Sequence, residues 1–211
     1  RAELGAGPGE AAVAVGEERV LAVPQLLHDR PQTKCIILDD AFQHRKIKAG
    51  LDILLTDYDN LFTKDFYLPA GDLRDLKSGY KRAEIIVVTK CKTDLSIDEK
   101  KQLIEEIKPL SHQHIFFTAN KYSQPYHILN SEEIKVLSDK DEVLLVTGIA
   151  NPRPLKELIH QHTKTYYMLH YKDHHIFTID DFKEIKKRFE KMDTKNKFIL
   201  TTEKDSMRLM K

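Results

Sequence analysis

Apolar residues in this chain fall in short unbroken runs, and each run closes on a polar residue. Ile36-Ile37-Leu38 closes on Asp39, and Leu51-Asp52-Ile53-Leu54-Leu55-Thr56 on Asp57. Ile85-Ile86-Val87-Val88 closes on Thr89-Lys90, and Ile115-Phe116-Phe117 on Thr118. The run at 142–147 ends at Gly148; two more lie at 166–169 and 198–201. Runs of this length and continuity read as strands covered on both faces. Helical spacing predicts helices over 17–28, with Val20, Val23 and Leu27 on one face, and over 97–107, 153–163 and 179–192. A short strand at 12–15, the first helix and the strand at 35–38 form a predicted βαβ unit with acids at its second strand. The stretch 125–138 is less regular, a hairpin or an inserted excursion. The alternation argues for an α/β fold with a mostly parallel sheet flanked by helices. It predicts Asp39, Asp57 and Thr89 at strand ends on one sheet edge. Residues 1–18, rich in Ala, Gly and Glu, read as an irregular N-terminal segment, and 19–211 as an α/β core with its C-terminal part.

Length and charge narrow the classes. At 211 residues the chain makes one large domain or two small ones. Its 41% hydrophobic and 32% charged residues are the balance of a soluble globular protein. A net charge of +1 does not single out nucleic acid, and no nucleic-acid partner is expected. No apolar run approaches the roughly 18 residues of a membrane span, and no signal peptide is visible. Cys35 and Cys91 each sit at an apolar run and are expected to be buried, reduced thiols, consistent with a cytosolic setting. The histidine pairs His112/His114, His160/His162 and His174/His175 do not suggest a zinc site, since His160 and His162 would face apart on a helix.

Candidate chemistry collects at the polar ends of the runs. Asp39-Asp40 either cap the following turn or serve a cation, which would relieve the repulsion of two adjacent carboxylates. Gln43 and His44 share that turn. Arg45-Lys46-Ile47-Lys48 then reads as a solvated loop or as a contact for phosphates. A second block, Tyr67-Leu68-Pro69-Ala70-Gly71-Asp72-Leu73-Arg74-Asp75, reads as a defined turn that projects Arg74 and Asp75. In Asp173-His174-His175, a carboxylate beside imidazole is the arrangement of an oriented base. Thr201-Thr202-Glu203-Lys204-Asp205 reads as a helix cap, with Lys204 and Asp205 as alternative site residues. No Gly-x-x-x-x-Gly-Lys-Ser/Thr phosphate loop occurs. Gly5-Ala6-Gly7-Pro8-Gly9 lacks the lysine, and its proline removes a backbone N–H.

The run through Asp39-Asp40-Ala41-Phe42-Gln43-His44 and the 67–75 block, followed in order by Thr147-Gly148-Ile149-Ala150-Asn151-Pro152, Asp173-His174-His175 and Thr201-Thr202-Glu203-Lys204-Asp205, resemble the lipid A 4′-kinase (tetraacyldisaccharide 4′-kinase) family. The resemblance runs from about Val13 to the C-terminus. It implies a P-loop NTPase-like fold and transfer of phosphate from ATP, with Mg²⁺, to the 4′ hydroxyl of the tetraacyldisaccharide-1-phosphate precursor of lipid A. The partners implied are the acylated glucosamine disaccharide lipid and the cytoplasmic membrane surface. The implied location is cytoplasmic, peripheral at the inner membrane of a Gram-negative-type bacterium. Carried over by position, His174, Asp40 and His44 are catalytic candidates, Gln43 and Arg74 substrate contacts, and Asp39 and Asp75 metal ligands. This chain has Asp75 where the family has Glu, and Asp72 where it has Pro. The family's aspartate partner to the catalytic histidine has no counterpart near Gly7-Pro8-Gly9-Glu10. The chain, which opens on Arg1, is expected to be a fragment lacking the phosphate-loop region and inactive alone. The alternative is a non-catalytic α/β binding module.

Overall fold

A computed structural model describes residues 12–16, 18–163, 165–173 and 175–210. The chain divides into two compact units, Arg1–Asn120 and Lys121–Lys211.

In the first unit, β1 (Ile53–Asp57), β2 (Ile85–Cys91) and β3 (His114–Ala119) form a parallel sheet in the order β1-β2-β3. Helix α1 (Arg19–Asp29) precedes them, and α2 (Ile97–Ile107) connects β2 to β3. Ser96 and Glu99 start α2 with reciprocal side-chain-to-backbone hydrogen bonds, which satisfy N–H groups the helix leaves unpaired. Ile86, Val88 and Cys91 of β2 are buried with Ile107 of α2, Leu61 and Ala83, and Phe42, Phe62 and Tyr80 pack against them. The opposite face is only partly covered: Leu55 is 65% and Phe116 53% exposed. Continuous apolar runs therefore overstate burial for this sheet. In α1 the buried residue is Leu26, while Val20 and Leu27, expected to face the core, are exposed.

Two expected strands do not form. Residues 12–15 contain only a single bridge residue, Val13, and 33–38 carry no ladder. An extended segment becomes a strand only when a neighbour takes its N–H and C=O groups, and 35–38 have no ladder partner among the described residues. Ile37 is accordingly 89% exposed, and Cys35 is exposed rather than buried, unlike Cys91. Asp39 sits in a turn and not at a strand end. Asp57 and Thr89 do pair in register at the carboxyl ends of β1 and β2.

In the second unit, β6 (Glu142–Thr147) lies between β7 (Thr165–His170) and β8 (Lys197–Leu200), parallel to both. Every residue of β6 is buried. Val143 and Leu145 pack on Leu155 and Ile159 of α3 (Arg153–His162). Leu144 and Val146 pack on Ile185 of α4 (Ile179–Glu190) and on Met192. Here the both-faces reading of a continuous apolar strand holds. α5 (Glu203–Leu209) closes the unit. The irregular stretch at 125–138 contains a hairpin, β4 (Tyr126–His127) with β5 (Asn130–Ile134).

Candidate functional site

Asp39 and Asp40 occupy a turn that continues through Gln43 and His44. Asp40 adopts φ of 47°, a left-handed backbone that Asp tolerates better than most residues. The turn is closed by His44 N–H donating to the Ala41 carbonyl at 2.8 Å. Asp39 and Gln43 are exposed. His44 is half-buried, and its Nε2 is enclosed with no hydrogen-bond partner among the described residues. A buried imidazole nitrogen without a partner is a functional signal as well as a cost.

The 67–75 block folds back beside this turn. Gly71 is required there, because a Cβ would collide with the Asp65 carboxylate and the Phe66 backbone. Leu68–Pro69 is a cis peptide bond. Asp72 uses the N–H that the family's proline would lack, donating to Asp65 Oδ2 at 3.3 Å.

Three arginines join the two loops. Arg74 Nη2 lies 2.6 Å from Asp40 Oδ1, and this carboxylate raises the Arg74 guanidinium above its ordinary pKa. Arg45 Nη2 donates to both Asp75 oxygens, at 2.8 and 3.0 Å. Arg82, from the 3₁₀ turn Lys77–Arg82, reaches Asp75 Oδ2 at 3.4 Å and donates to the Phe42 carbonyl at 2.9 Å. Hydrogen bonds from Arg45 and from the Leu76 N–H hold the Asp75 carboxyl below its ordinary pKa. The loop at 45–48 is therefore only partly solvated, since Arg45 is engaged and Lys46 pairs with Glu18 at 3.4 Å. Lys90 pairs with Asp57 across the β1–β2 ends.

In the second unit the polar ends of β6 and β8 meet. Thr202 caps α5 by accepting from Asp205 N–H. The fully buried Asp205 carboxylate accepts from Gly148 N–H at 3.0 Å, Thr147 Oγ1 at 3.1 Å and Thr202 Oγ1 at 2.8 Å, and pairs with Arg208 at 3.1 Å. Of the two readings of this block, the cap is what forms. Lys204 reaches Asp173 at 3.2 Å. His174, the catalytic candidate, lies outside the described residues. Its neighbour His175 bonds Asp181 Oδ2 through Nε2 at 3.0 Å and stacks on Tyr171 at 4.7 Å. Thr178 N–H, then His175, lower the Asp181 pKa from 3.8 to about 2.

The geometry thus brings together Asp40, Arg74, His44 and Asp75 in one unit, with Asp39 and Gln43 on the same turn. Arg82 and the buried Asp205 were not foreseen as anchors. For Arg82, the only sequence signal is a cation three residues before an apolar strand. Among the described residues no cluster of three His, Cys, Asp or Glu side chains is placed to hold a metal. No helix there is long and apolar enough to cross a membrane.

Comparison with known proteins identifies the family. Residues 6–211 match the family described as tetraacyldisaccharide-1-P 4'-kinase. The chain is 39% identical over 202 residues to the tetraacyldisaccharide 4'-kinase of Phocaeicola vulgatus, covering 93% of this chain and 55% of the relative. It is 40% identical over 198 residues to that of Flavobacterium johnsoniae, covering 93% and 56%. Its fold resembles that of LpxK from Aquifex aeolicus, crystallised as an "apo" form in complex with ATP, with a TM-score of 0.58 and 23% identity over 94% of this chain and 55% of the other. That likeness supports the α/β fold with parallel sheets flanked by helices. The chain spans about half the length of the curated relatives it matches. On the family match over nearly its whole length, the chain belongs to the tetraacyldisaccharide-1-P 4'-kinase family.

Proposed function

We propose that the protein containing this chain transfers the γ-phosphoryl group of ATP to the 4′ hydroxyl of the tetraacyldisaccharide-1-phosphate precursor of lipid A. The observation that carries this reading is the joining of two family motifs, the Asp39–His44 turn and the 67–75 loop, through Arg74–Asp40 and Arg45–Asp75. ATP as donor is supported by the Aquifex aeolicus LpxK, which was crystallised in complex with ATP.

The carboxylates fit Mg²⁺ unequally. Asp39 is exposed and makes no ion pair among the described residues, while Asp40 and Asp75 are engaged by arginines. Magnesium in phosphoryl-transfer sites takes one or two carboxylates and completes its shell with water and phosphate oxygens, so Asp39 alone is a sufficient protein contribution. When bound, the ion supplies charge neutralisation at the β- and γ-phosphates. Asp75, the other expected ligand, could serve the ion only by giving up its arginine contacts. Arg74, with Gln43, is assigned to the sugar or phosphate groups of the substrate. Its planar fork suits a phosphate oxygen pair. His174 is assigned to the 4′ hydroxyl as an imidazole that takes up its proton, and Asp40 and His44, on the acidic turn of the first unit, are assigned further catalytic roles in the same transfer. Because the substrate is a membrane lipid, the work is done at the cytoplasmic surface of the inner membrane.

The test is direct. Full-length protein is incubated with radiolabelled ATP and the acylated disaccharide-1-phosphate, and the lipid product is separated and counted. Label on the 4′ position is the expected result. Failure of full-length protein to label the lipid, while it binds the lipid, would favour a non-catalytic module.

A further inference from the structure

We propose that Arg82 is a positioning residue that clamps the Asp39–His44 turn against the 67–75 loop, with Asp75 as its anchor; the proposal rests on the kinase reading for its catalytic consequence. Arg82 ends a 3₁₀ turn that is followed, after Ala83 and Glu84, by β2. Its backbone is held firmly: the Gln113 side chain donates to the carbonyls of Tyr80 and Ala83, both at 2.8 Å, and Ala83 is fully buried. From that fixed base the guanidinium makes three contacts. It donates to the Phe42 carbonyl at 2.9 Å, lies 4.6 Å above the centre of the Phe42 ring, and reaches Asp75 Oδ2 at 3.4 Å. Phe42 packs against the core of the first unit, two residues after Asp40.

Asp75 is saturated by its own contacts. Arg45 donates to both oxygens, Leu76 N–H to Oδ1 at 2.8 Å, and Arg82 to Oδ2. A carboxylate with this many donors is a cross-link between loops. Gly79 makes room for it, since a Cβ there would stand 3.1 Å from Arg82 Nη1 and 3.3 Å from Asp75 Oδ2. A planar guanidinium with several fixed donors can bond a carbonyl, pair with a carboxylate and cover a ring at once; lysine cannot.

The experiment uses the full-length protein. Arg82→Ala, Arg82→Lys and Gly79→Ala are compared with wild type and with Lys81→Ala, which removes an exposed cation from the same turn. Steady-state kinetics and backbone amide exchange are both measured. Arg82→Ala should lower kcat on the order of 10- to 10²-fold, the scale of a small misplacement of reacting groups, with KM for ATP unchanged. Arg82→Lys should recover part of the loss, and Gly79→Ala should show a smaller loss with every charge intact. Exchange should quicken at 40–45 and 67–75 but not in β2. Lys81→Ala should match wild type. Unchanged kcat in Arg82→Ala overturns the proposal, as does a loss accompanied by faster exchange throughout β1, β2 and β3. If wild-type protein transfers no phosphate, the kinase reading fails. The exchange arm then decides the clamp alone, and unaltered exchange at both loops overturns it.

Discussion

Arg74 and Asp40 are 34 positions apart in the chain and 2.6 Å apart in space. The pair ties the 67–75 loop to the acidic turn. It also leaves Asp39 as the carboxylate of that turn without an ion pair among the described residues. Both partners are more than half exposed, so the bond stabilises by about 0–1 kcal/mol. Arg74→Ala in full-length protein should therefore leave the melting temperature nearly unchanged. Its expected effect is on the substrate, a rise of about tenfold in KM for the acylated disaccharide, the scale of one lost charge-assisted contact. An unaltered KM would remove Arg74 from the substrate site.

Asp39→Ala should reduce kcat on the order of 10²-fold or more, as when one electrostatic element of a transition state is removed. Asp39 is exposed, so denaturant unfolding should be unaffected. Near-normal turnover at saturating Mg²⁺ would count against its assignment to the ion.

His174→Ala should cost kcat more than KM. The pH–rate profile should lose its acidic limb, because neutral imidazole is the active form of a base. His175→Ala is a poor control for this experiment, since His175 is bonded to Asp181 and stacked on Tyr171. A profile that keeps its acidic limb in His174→Ala would sink the catalytic role.

Asp205→Ala should destabilise the second unit by about 1–3 kcal/mol, the cost of leaving buried hydrogen-bond donors unsatisfied. The substitution leaves Gly148 N–H and Arg208 without the carboxylate that serves them. Urea unfolding monitored in this unit measures the loss, and a change below about 1 kcal/mol would contradict the buried hub.

Asp181 gives a pH dependence of defined sign. Its pKa is lowered from 3.8 to about 2, so the folded state binds the proton more weakly than the unfolded state does. The stability it contributes is complete above 3.8 and is lost as pH falls toward about 2. Asp181→Asn should flatten acid unfolding in that window. It should also weaken the start of α4 near neutrality, since Asp181 is the N3 partner of the Thr178 cap. Identical acid unfolding curves for the two proteins would show that the cap contributes nothing.

Local patterns in the sequence identify most of the elements. The β2, β3 and β6 runs and the α2, α3 and α4 periodicities appear within a few residues of their predicted bounds. Their information is short-range: alternating burial, helical spacing, and caps three residues apart such as Thr202 and Asp205. The motif turns could likewise be read directly, because Gly71 and Pro69 constrain the backbone where they stand.

What the sequence determined by itself was the class of fold and the order of family motifs, since both are written in neighbouring residues. Tertiary structure alone decided which of those residues meet. The Ile36-Ile37-Leu38 run has the composition of a strand, yet it has no ladder among the described residues, and no local pattern specifies a ladder partner. Asp40, Asp75 and Asp205 look alike as carboxylates after apolar or turn segments. They differ because Arg74, Arg45 with Arg82, and Gly148 with Arg208 arrive from different distances along the chain. A charge reveals its role only when folding delivers its partner, and Asp39 remains available to a cation because folding brings it none among the described residues.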